Sequence, residues 1–437
     1  MNWTPRNHLL PGLVALGLFF LPSAALAQDG AALNGANTAW LLTATALVLF
    51  MTLPGLALFY GGLVRQKNLL SVLTQCFAIC CIASLLWLVV AYSLVFGDGG
   101  GANRWIGGLD KAFLGGVGWE SLWGDVPESV FFMFQMTFAI ITPALIVGAY
   151  PERTRFAAVL LFSGFWLLLV YAPVAHWIWG GGWLADLGVM DFAGGLVVHA
   201  TAGVSAIVAA ILIGGRRGFP KELVPPHSPG LTMIGAAMLW VGWYGFNAGS
   251  ALAADASAGM AMTATHISAA TAALTWMAIE WVKFGRPSLV GIVTGMVAGL
   301  ATITPASGYV GPAAALFIGF AGSCVCYAAV HYIKQVARID DSLDVFAVHG
   351  VGGILGTLSI APFASARLGG IGLADGVTIG GQLWVQLIGV LATVVWSVIV
   401  SYILLKLIGS VVGLRVEREE EIEGLDLTTH GERAYTL

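Results

Sequence analysis

Apolar runs of about twenty residues recur along the chain from residue 38, with short polar breaks between them. That is the length a helix needs to cross the hydrocarbon core of a bilayer. The runs predict eleven membrane-spanning helices, at about 38–62, 70–96, 127–150, 156–179, 192–214, 230–253, 259–282, 288–306, 309–333, 345–362 and 383–411. A transmembrane barrel would instead alternate apolar and polar positions in strands of roughly ten residues. One longer loop is expected, 97–126, and the end of the chain, 414–437, reads as water-soluble. Ahead of the first run, Arg6 and His8 precede an apolar stretch from Leu9 to Leu26, closed by Ala25-Leu26-Ala27. A basic start, an apolar middle and a small-x-small ending predict a secretory signal peptide over 1–27; an uncleaved extra helix is the alternative.

Composition narrows the class. Hydrophobic residues make up 58% of the 437 residues and charged ones 10%, against roughly 25% charged in a soluble domain. Mean hydropathy is +0.87. Such a chain has too little polar surface to cover a soluble globule. A soluble enzyme, a disordered chain and a nucleic-acid binder are excluded, which leaves an all-α polytopic membrane protein. The 58 glycines predict close helix packing, since small residues let backbones approach in lipid. The cysteines Cys76, Cys80, Cys81, Cys324 and Cys326 all fall inside apolar runs. Their spacing is not that of a metal site, so they read as buried space-fillers.

Basic residues set the expected orientation. One set of loops holds Arg65, Lys67, Arg153, Arg155, Arg216, Arg217, Lys221, Lys283, Arg286, Lys334 and Arg338; the other holds only Arg104, Lys111 and Arg367. This places the N-terminus outside and the C-terminus inside. The outer loops also carry Asp98, Asp110, Glu120, Asp125, Glu128, Asp186, Asp191, Asp255 and Asp375. An acidic face of this kind weakly concentrates cations, although ordinary loop solvation explains it as well.

Two short stretches match each other: DFAGGLVVHATAG from Asp191 to Gly203, and DSLDVFAVHGVGG from Asp341 to Gly353. Each has Asp-x7-His and Val-His-x3-Gly. One falls in the fifth run and the other in the tenth, which point in opposite directions. Equivalent elements of opposite direction predict two inverted five-helix repeats, about 38–214 and 230–362, with a pathway at their interface. Ionisable residues inside a membrane are costly and mark function by default. His199 and His349 therefore lead the candidate residues. An imidazole donates from one nitrogen and accepts at the other, which suits a small polar solute or a proton. His176 and His266 have no repeat partner and read as structural.

Aromatic residues cluster near the outer ends of the third, fourth and sixth runs, in Phe134-Gln135-Met136-Thr137-Phe138, in His176-Trp177-Ile178-Trp179 and in Trp243-Tyr244-Gly245-Phe246. Phe134 and Phe138, four apart, share one helix face. Such residues belong to an interfacial belt or, beside an acidic face and the Ser250 hydroxyl, to a cation–π cage.

The chain resembles the ammonium transporter family, relatives of the Rhesus proteins. The matching runs are LPGLALFYGGLVRQKN (53–68), PERTRF (151–156), AHWIWGGGW (175–183), DFAGGLVVH (191–199), WYGFNAGS (243–250), PSLVG (287–291), DVFAVHG (344–350) and GLDLTTHGERAY (424–435). They lie in order between residues 53 and 435, and the resemblance extends over nearly all of the chain beyond residue 28. The resemblance implies eleven helices per subunit over 28–413, a homotrimer and a pore through each subunit. It implies that Phe134, Trp179 and Ser250 bind ammonium at the outer side and that Phe138 and Phe246 form a gate of two stacked rings. His199 and His349 would be twin histidines lining an apolar pore, and Asp191 would support the outer site by shaping it. Trp179 fits the transporter branch better than the Rhesus branch. No cofactor or metal is implied. Methylammonium is the expected analogue, and the location is the bacterial inner membrane. The acidic tail 414–437, with Glu417, Glu419, Glu420, Glu421 and Glu423, would pack beneath the trimer beside an inhibitory PII-class signalling protein.

Potassium and ammonium are alike in size and charge, but only ammonium can shed its charge by losing a proton. A dry pore thus separates them, since a bare cation in hydrocarbon is prohibitively costly. The expected activity is ammonium binding, deprotonation and passage of ammonia, with separate proton movement. Rival readings are an electroneutral ammonia channel, an ammonium sensor of the same fold, a bis-histidine haem protein and an intramembrane acid–base enzyme. Neither of the last two finds the additional ligand or nucleophile that it needs.

Overall fold

The computed structural model describes residues 32–222 and 225–435. The expected signal peptide, 1–27, lies outside them. The described chain is almost wholly helical: α1 (Gly35–Leu63), α2 (Gln66–Phe96), α3 (Glu128–Ala149), α4 (156–179), α5 (Gly195–Ile213), α6 (Pro229–Gly249), α7 (Ala256–Phe284), α8 (Leu289–Ile303), α9 (Pro312–Val336), α10 (Phe346–Phe363) and α11 (Ile379–Val412). Two short helices, α12 (Arg418–Glu423) and α13 (Leu425–His430), follow in the tail. Eight of the helices are long and apolar enough to cross a membrane: α1–α5 and α9–α11. In the long loop, β1 (Leu122–Trp123) pairs antiparallel with β2 (Val126–Pro127).

Lipid as solvent reverses the usual distribution of side chains. Leu85, Phe77, Leu274, Val282 and Leu391 stand exposed, whereas Thr52, Ser205, Thr265, Ser323, Thr393 and Ser401 are buried between helices. Several of these hydroxyls return to their own helix, as in Thr52 to Val48 O (3.1 Å) and Thr265 to Ala261 O (2.6 Å). Others join helices: Ser401 Oγ donates to Ser205 Oγ at 2.8 Å and Ser268 Oγ to Gly299 O at 2.9 Å. Helices α3 and α5 are the most enclosed, and α11 is exposed along most of its length.

One expectation changes. Cys76 and Cys326 are buried fillers and half-buried Cys80 packs against the core, but Cys324 is only half-buried and Cys81 is exposed. The tail docks against this chain's own loops and helix ends. Ser71 N–H donates to Asp426 Oδ1 and Leu425 N–H to Asn68 Oδ1, both at 2.8 Å. Glu421 accepts from Arg217 N at 2.8 Å and pairs with Arg415 at 2.7 Å, while Glu417 pairs with Arg155 at 2.8 Å.

Beneath the helices, Arg153 binds the loops together. It is fully buried, and its guanidinium donates to Gly214 O (2.7 Å), Pro151 O (3.2 Å), Ala149 O (2.9 Å), Asp340 O (2.8 Å) and Ser342 Oγ (2.8 Å). Arg216 grips the Asp340 carboxylate at 2.9 and 3.0 Å. Three loops distant in sequence are thereby fixed under the helices that carry the candidate residues.

Candidate functional site

Six single π-helical turns occur among the described helices, and the two that open α5 and α10 carry the matched histidines: Gly195–Ala200 with His199 and Phe346–Gly350 with His349. Such turns widen a helix locally and recur at functional sites. Each is capped by the aspartate eight residues before its histidine. The Asp191 carboxylate accepts from four consecutive backbone N–H groups, of Gly194 (3.0 Å), Gly195 (2.6 Å), Leu196 (2.8 Å) and Val197 (3.1 Å). These are the orphan donors of a helix start. Asp341 Oδ2 accepts from Phe346 N–H at 2.7 Å.

The glycine four residues after each histidine makes room for the opposite turn. A Cβ on Gly203 would stand 2.2 Å from Gly350 N, and one on Gly353 would stand 2.6 Å from Gly195 O and 2.8 Å from His199 Cβ. Only glycine permits this backbone approach. The crossing brings His199 Nδ1 to 3.2 Å from His349 Nδ1, with ring centroids 5.1 Å apart. One nitrogen must donate and the other accept. For a neutral pair, the two Nε2 atoms then present one acceptor and one donor. His199 Nε2 has no protein partner. Trp243 and Phe246 stack beside His199, at 5.5 and 6.0 Å.

Three spaces follow one another through this region. On the first side lies a cup of about 270 Å³, bordered by Phe131, Gln135, Phe138, Trp179, Phe192 and Ser250. Phe138 borders the cup and Phe246 borders the next space, and their ring centroids lie 4.4 Å apart between the two. Beyond them is a constricted lumen of about 10 Å³, lined by Leu56, Ile141, Leu145, Leu239, Phe246 and both histidines. That is room for about one water. Trp243 also lines it, but its indole N–H is committed to Thr304 Oγ1 at 2.8 Å, so the imidazoles supply its polar contacts. His349 borders the third space too, a vestibule of about 250 Å³ edged by Tyr60, Arg216, Arg217, Lys334 and Asp344.

The cup explains how Asp191 acts. Trp179 Nε1–H donates to the Asp191 backbone carbonyl at 2.9 Å. Asp191 thus orients the indole with its main chain and caps the His199 turn with its carboxylate. The connecting Gly194 has φ +109°, a conformation that favours glycine. Ser250 Oγ–H donates to Phe246 O at 2.9 Å, which leaves its lone pairs to accept from a solute. Phe134 stands elsewhere: it is fully buried behind the cup, edge-on to Phe138 at 5.0 Å and against Gly249. The helix face toward the cup is Phe131, Gln135 and Phe138, at spacings i, i+4 and i+7. That spacing was available in the sequence, but the two phenylalanines four apart were the stronger signal.

The two other histidines join elements outside this passage. His176 lies with Nδ1 2.7 Å from Val95 O and Nε2 2.5 Å from Asn103 O, tying α4 to the end of α2 and the long loop. His266 meets the Tyr244 hydroxyl at 2.7 Å on an exposed side of α6 and α7.

Known proteins match the chain throughout. The model of the Ammonium Transporter Family matches residues 39–435. An ammonium transporter of Aquifex aeolicus is 44% identical over 429 residues, covering 98% of this chain and 99% of that protein. Among solved structures, one described as a Sensor Amt Protein has a TM-score of 0.84 at 31% identity, covering 90% of this chain and 98% of its own. That of Saccharomyces cerevisiae Mep2 has a TM-score of 0.82 at 35% identity, covering 89% and 88%. With two buried histidines in contact inside a bundle of apolar helices and a family match over nearly its whole described length, the chain belongs to the ammonium transporter family.

Proposed function

We propose that the protein takes up ammonium across the bacterial inner membrane by binding the cation in the aromatic cup, removing its proton and passing ammonia along the histidine pair. The observation that carries this reading is the order of the three spaces. A cup with π faces and a free hydroxyl lone pair suits a cation that donates N–H bonds. A lumen of about 10 Å³ with apolar walls does not suit a charge. Ammonia accepts from one imidazole Nε2–H and donates to the other Nε2. Trp179, Ser250 and the outer face of Phe138 form the binding surface, Phe138 with Phe246 is the gate, and Phe134 acts from behind by backing Phe138. The proton follows separately through the histidine pair, so that transport carries net charge.

The membrane arrangement belongs to the same proposal. Helices α6, α7 and α8 complete eleven crossings, the N-terminus is outside and the C-terminus inside, and residues 1–27 are a cleaved signal peptide. The twin Asp-capped turns and their reciprocal glycines support two inverted repeats, 38–214 and 230–362, with 383–411 as an added helix. The subunits form a homotrimer. A PII-class protein is the inhibitory partner, its loop entering the vestibule beside Arg216 and Arg217 above the docked tail 414–437. An ammonium receptor with little flux is the second reading, favoured by the likeness to the sensor protein.

Liposome currents decide between them. An ammonium pulse, with potassium as control, is applied to wild type, His199→Ala and His349→Ala. An ammonium current that potassium does not elicit, lost or made unselective in the variants, is the expected result. Rapid lumenal alkalinisation without current would mean a neutral ammonia channel. Neither signal from folded protein would replace transport by reception.

A further inference from the structure

The two capping aspartates are chemically unequal. Asp191 spends its carboxylate on four N–H groups. Asp341 is also fully buried, yet only Oδ2 has a hydrogen bond, from Phe346 N–H, and Oδ1 has no partner. A buried carboxylate oxygen without a donor costs more than a neutral carboxyl in the same place, because the charge loses far more hydration than an O–H does. The surroundings point the same way. Tyr60, Tyr150 and Cys76, all buried, gather in the same region. The Tyr60 hydroxyl donates to Leu145 O at 2.9 Å, and the Tyr150 hydroxyl has no partner. The charged neighbours are Asp344 and Lys334, which pair with each other at 2.7 Å. Burial first, and then the Asp344 carboxylate, push the Asp341 carboxyl up to about 7, against the backbone N–H groups of Phe346 and Val345 and the Lys334 ammonium, which pull it down.

We propose that Asp341 holds a proton at the cytoplasmic end of the passage and exchanges it with the vestibule, and that this exchange resets the cap of the turn carrying His349. In the protonated state Oδ1–H is a donor and the turn is held by a single N–H bond. When the proton passes to vestibule water, both oxygens become acceptors and the carboxylate draws further N–H groups of the turn toward it, as Asp191 does. Neighbouring Ser342, Leu343 and Asp344 line the vestibule, so the exchange has a short route. Asp341 is thus a positioning residue through which cytoplasmic pH acts on His349. This consequence rests on the twin-histidine reading of the passage; the proton itself does not.

The test has two arms. Infrared difference spectra of the full-length protein, wild type against Asp341→Asn, are recorded between about pH 5.5 and about pH 8.5. A protonated carboxyl band that disappears with rising pH in wild type and is missing in the variant is expected. A difference containing only carboxylate bands, or one that does not change over this range, overturns the proposal. Should Asp341→Asn fail to fold, Asp341→Glu serves, since it moves the same band without removing it. In the second arm, ammonium flux into liposomes is followed while lumenal pH is varied on the vestibule side. Asp341→Asn, a neutral mimic of the acid, is expected to lose the pH dependence and hold the wild-type low-pH rate throughout. A pH profile identical to wild type overturns the coupling to His349. Wild type without any ammonium flux would sink the transport reading, while the infrared result would still decide the proton on Asp341.

Discussion

Replacing Gly203 by alanine adds one methyl group where two backbones cross. Its Cβ would lie 2.2 Å from Gly350 N and 2.4 Å from Gly350 Cα. Unstrained heavy-atom contacts begin at about 3.5 Å, so α5 and the His349 turn must part by roughly 1 Å. Both colliding atoms belong to main chain, and no side chain can rotate out of the way. The Nδ1–Nδ1 separation of 3.2 Å would then open beyond the roughly 3.2 Å limit of a good hydrogen bond. Overpacking of this size costs about 1–3 kcal/mol, so the variant should still fold. A misplacement of about 1 Å in an oriented reaction can cost on the order of a hundredfold, and ammonium flux into liposomes should fall by at least about tenfold. Gly230→Ala is the control, because a Cβ there meets nothing within 4 Å. Gly353→Ala should mirror the defect through Gly195 O and His199 Cβ. Folded Gly203→Ala protein with wild-type flux would refute the claim that the histidine spacing is set by this crossing.

Ser250→Ala removes the lone pair facing the cup, worth about 0.5–1.5 kcal/mol for an ordinary hydrogen bond and up to about 3 with a charged donor. Half-saturating ammonium should rise about threefold or more with little change in maximal rate; an unchanged half-saturation would remove Ser250 from the binding surface. Asp191→Asn keeps one acceptor oxygen and turns an amide toward two of the four N–H groups. At about 1–3 kcal/mol for each buried orphan, a large fall in thermal midpoint is expected, and a midpoint equal to wild type would contradict the capping role. Phe138→Ala and Phe246→Ala open the boundary between the cup and the next space, and potassium current in liposomes should appear; continued exclusion of potassium would place the barrier elsewhere. Burial alone would raise the Asp340 carboxyl, but its bonds to Arg216 and the field of Arg153 hold it below the usual value. Glu421 is held down in the same way, against burial, by Arg415 and the Arg217 N–H. Depressed folded values give stability that is present above the unfolded value of about 4 and lost as pH falls through the folded one. Amide exchange in 149–155, 214–216 and the docked tail should therefore accelerate below about pH 4; protection unchanged at about pH 3 would show that these pairs do not hold the loops.

Much of the architecture was legible because its causes are local. A run of twenty apolar residues dictates a membrane helix whatever its neighbours, and eight such helices stand where the runs predicted them. The matched Asp-x7-His-x3-Gly segments singled out His199 and His349 because an ionisable group within an apolar run has few structural excuses. Other features lie between elements and leave weaker traces. Helix periodicity placed Phe134 and Phe138 on one face but did not say that Phe131 and Gln135 complete the side toward the cup while Phe134 backs it. Charge along the tail does not reveal which groups it meets: Asn68, Ser71 and Arg217 await Leu425, Asp426 and Glu421 from more than 200 residues away. The two aspartates are identical in the repeat, yet one receives four N–H donors and the other keeps an unpartnered oxygen. Sequence alone determined which groups are too costly to leave in lipid without a purpose. Only the tertiary structure decided how those groups meet, because hydrogen-bond satisfaction and backbone approach depend on distances between helices that no local pattern encodes.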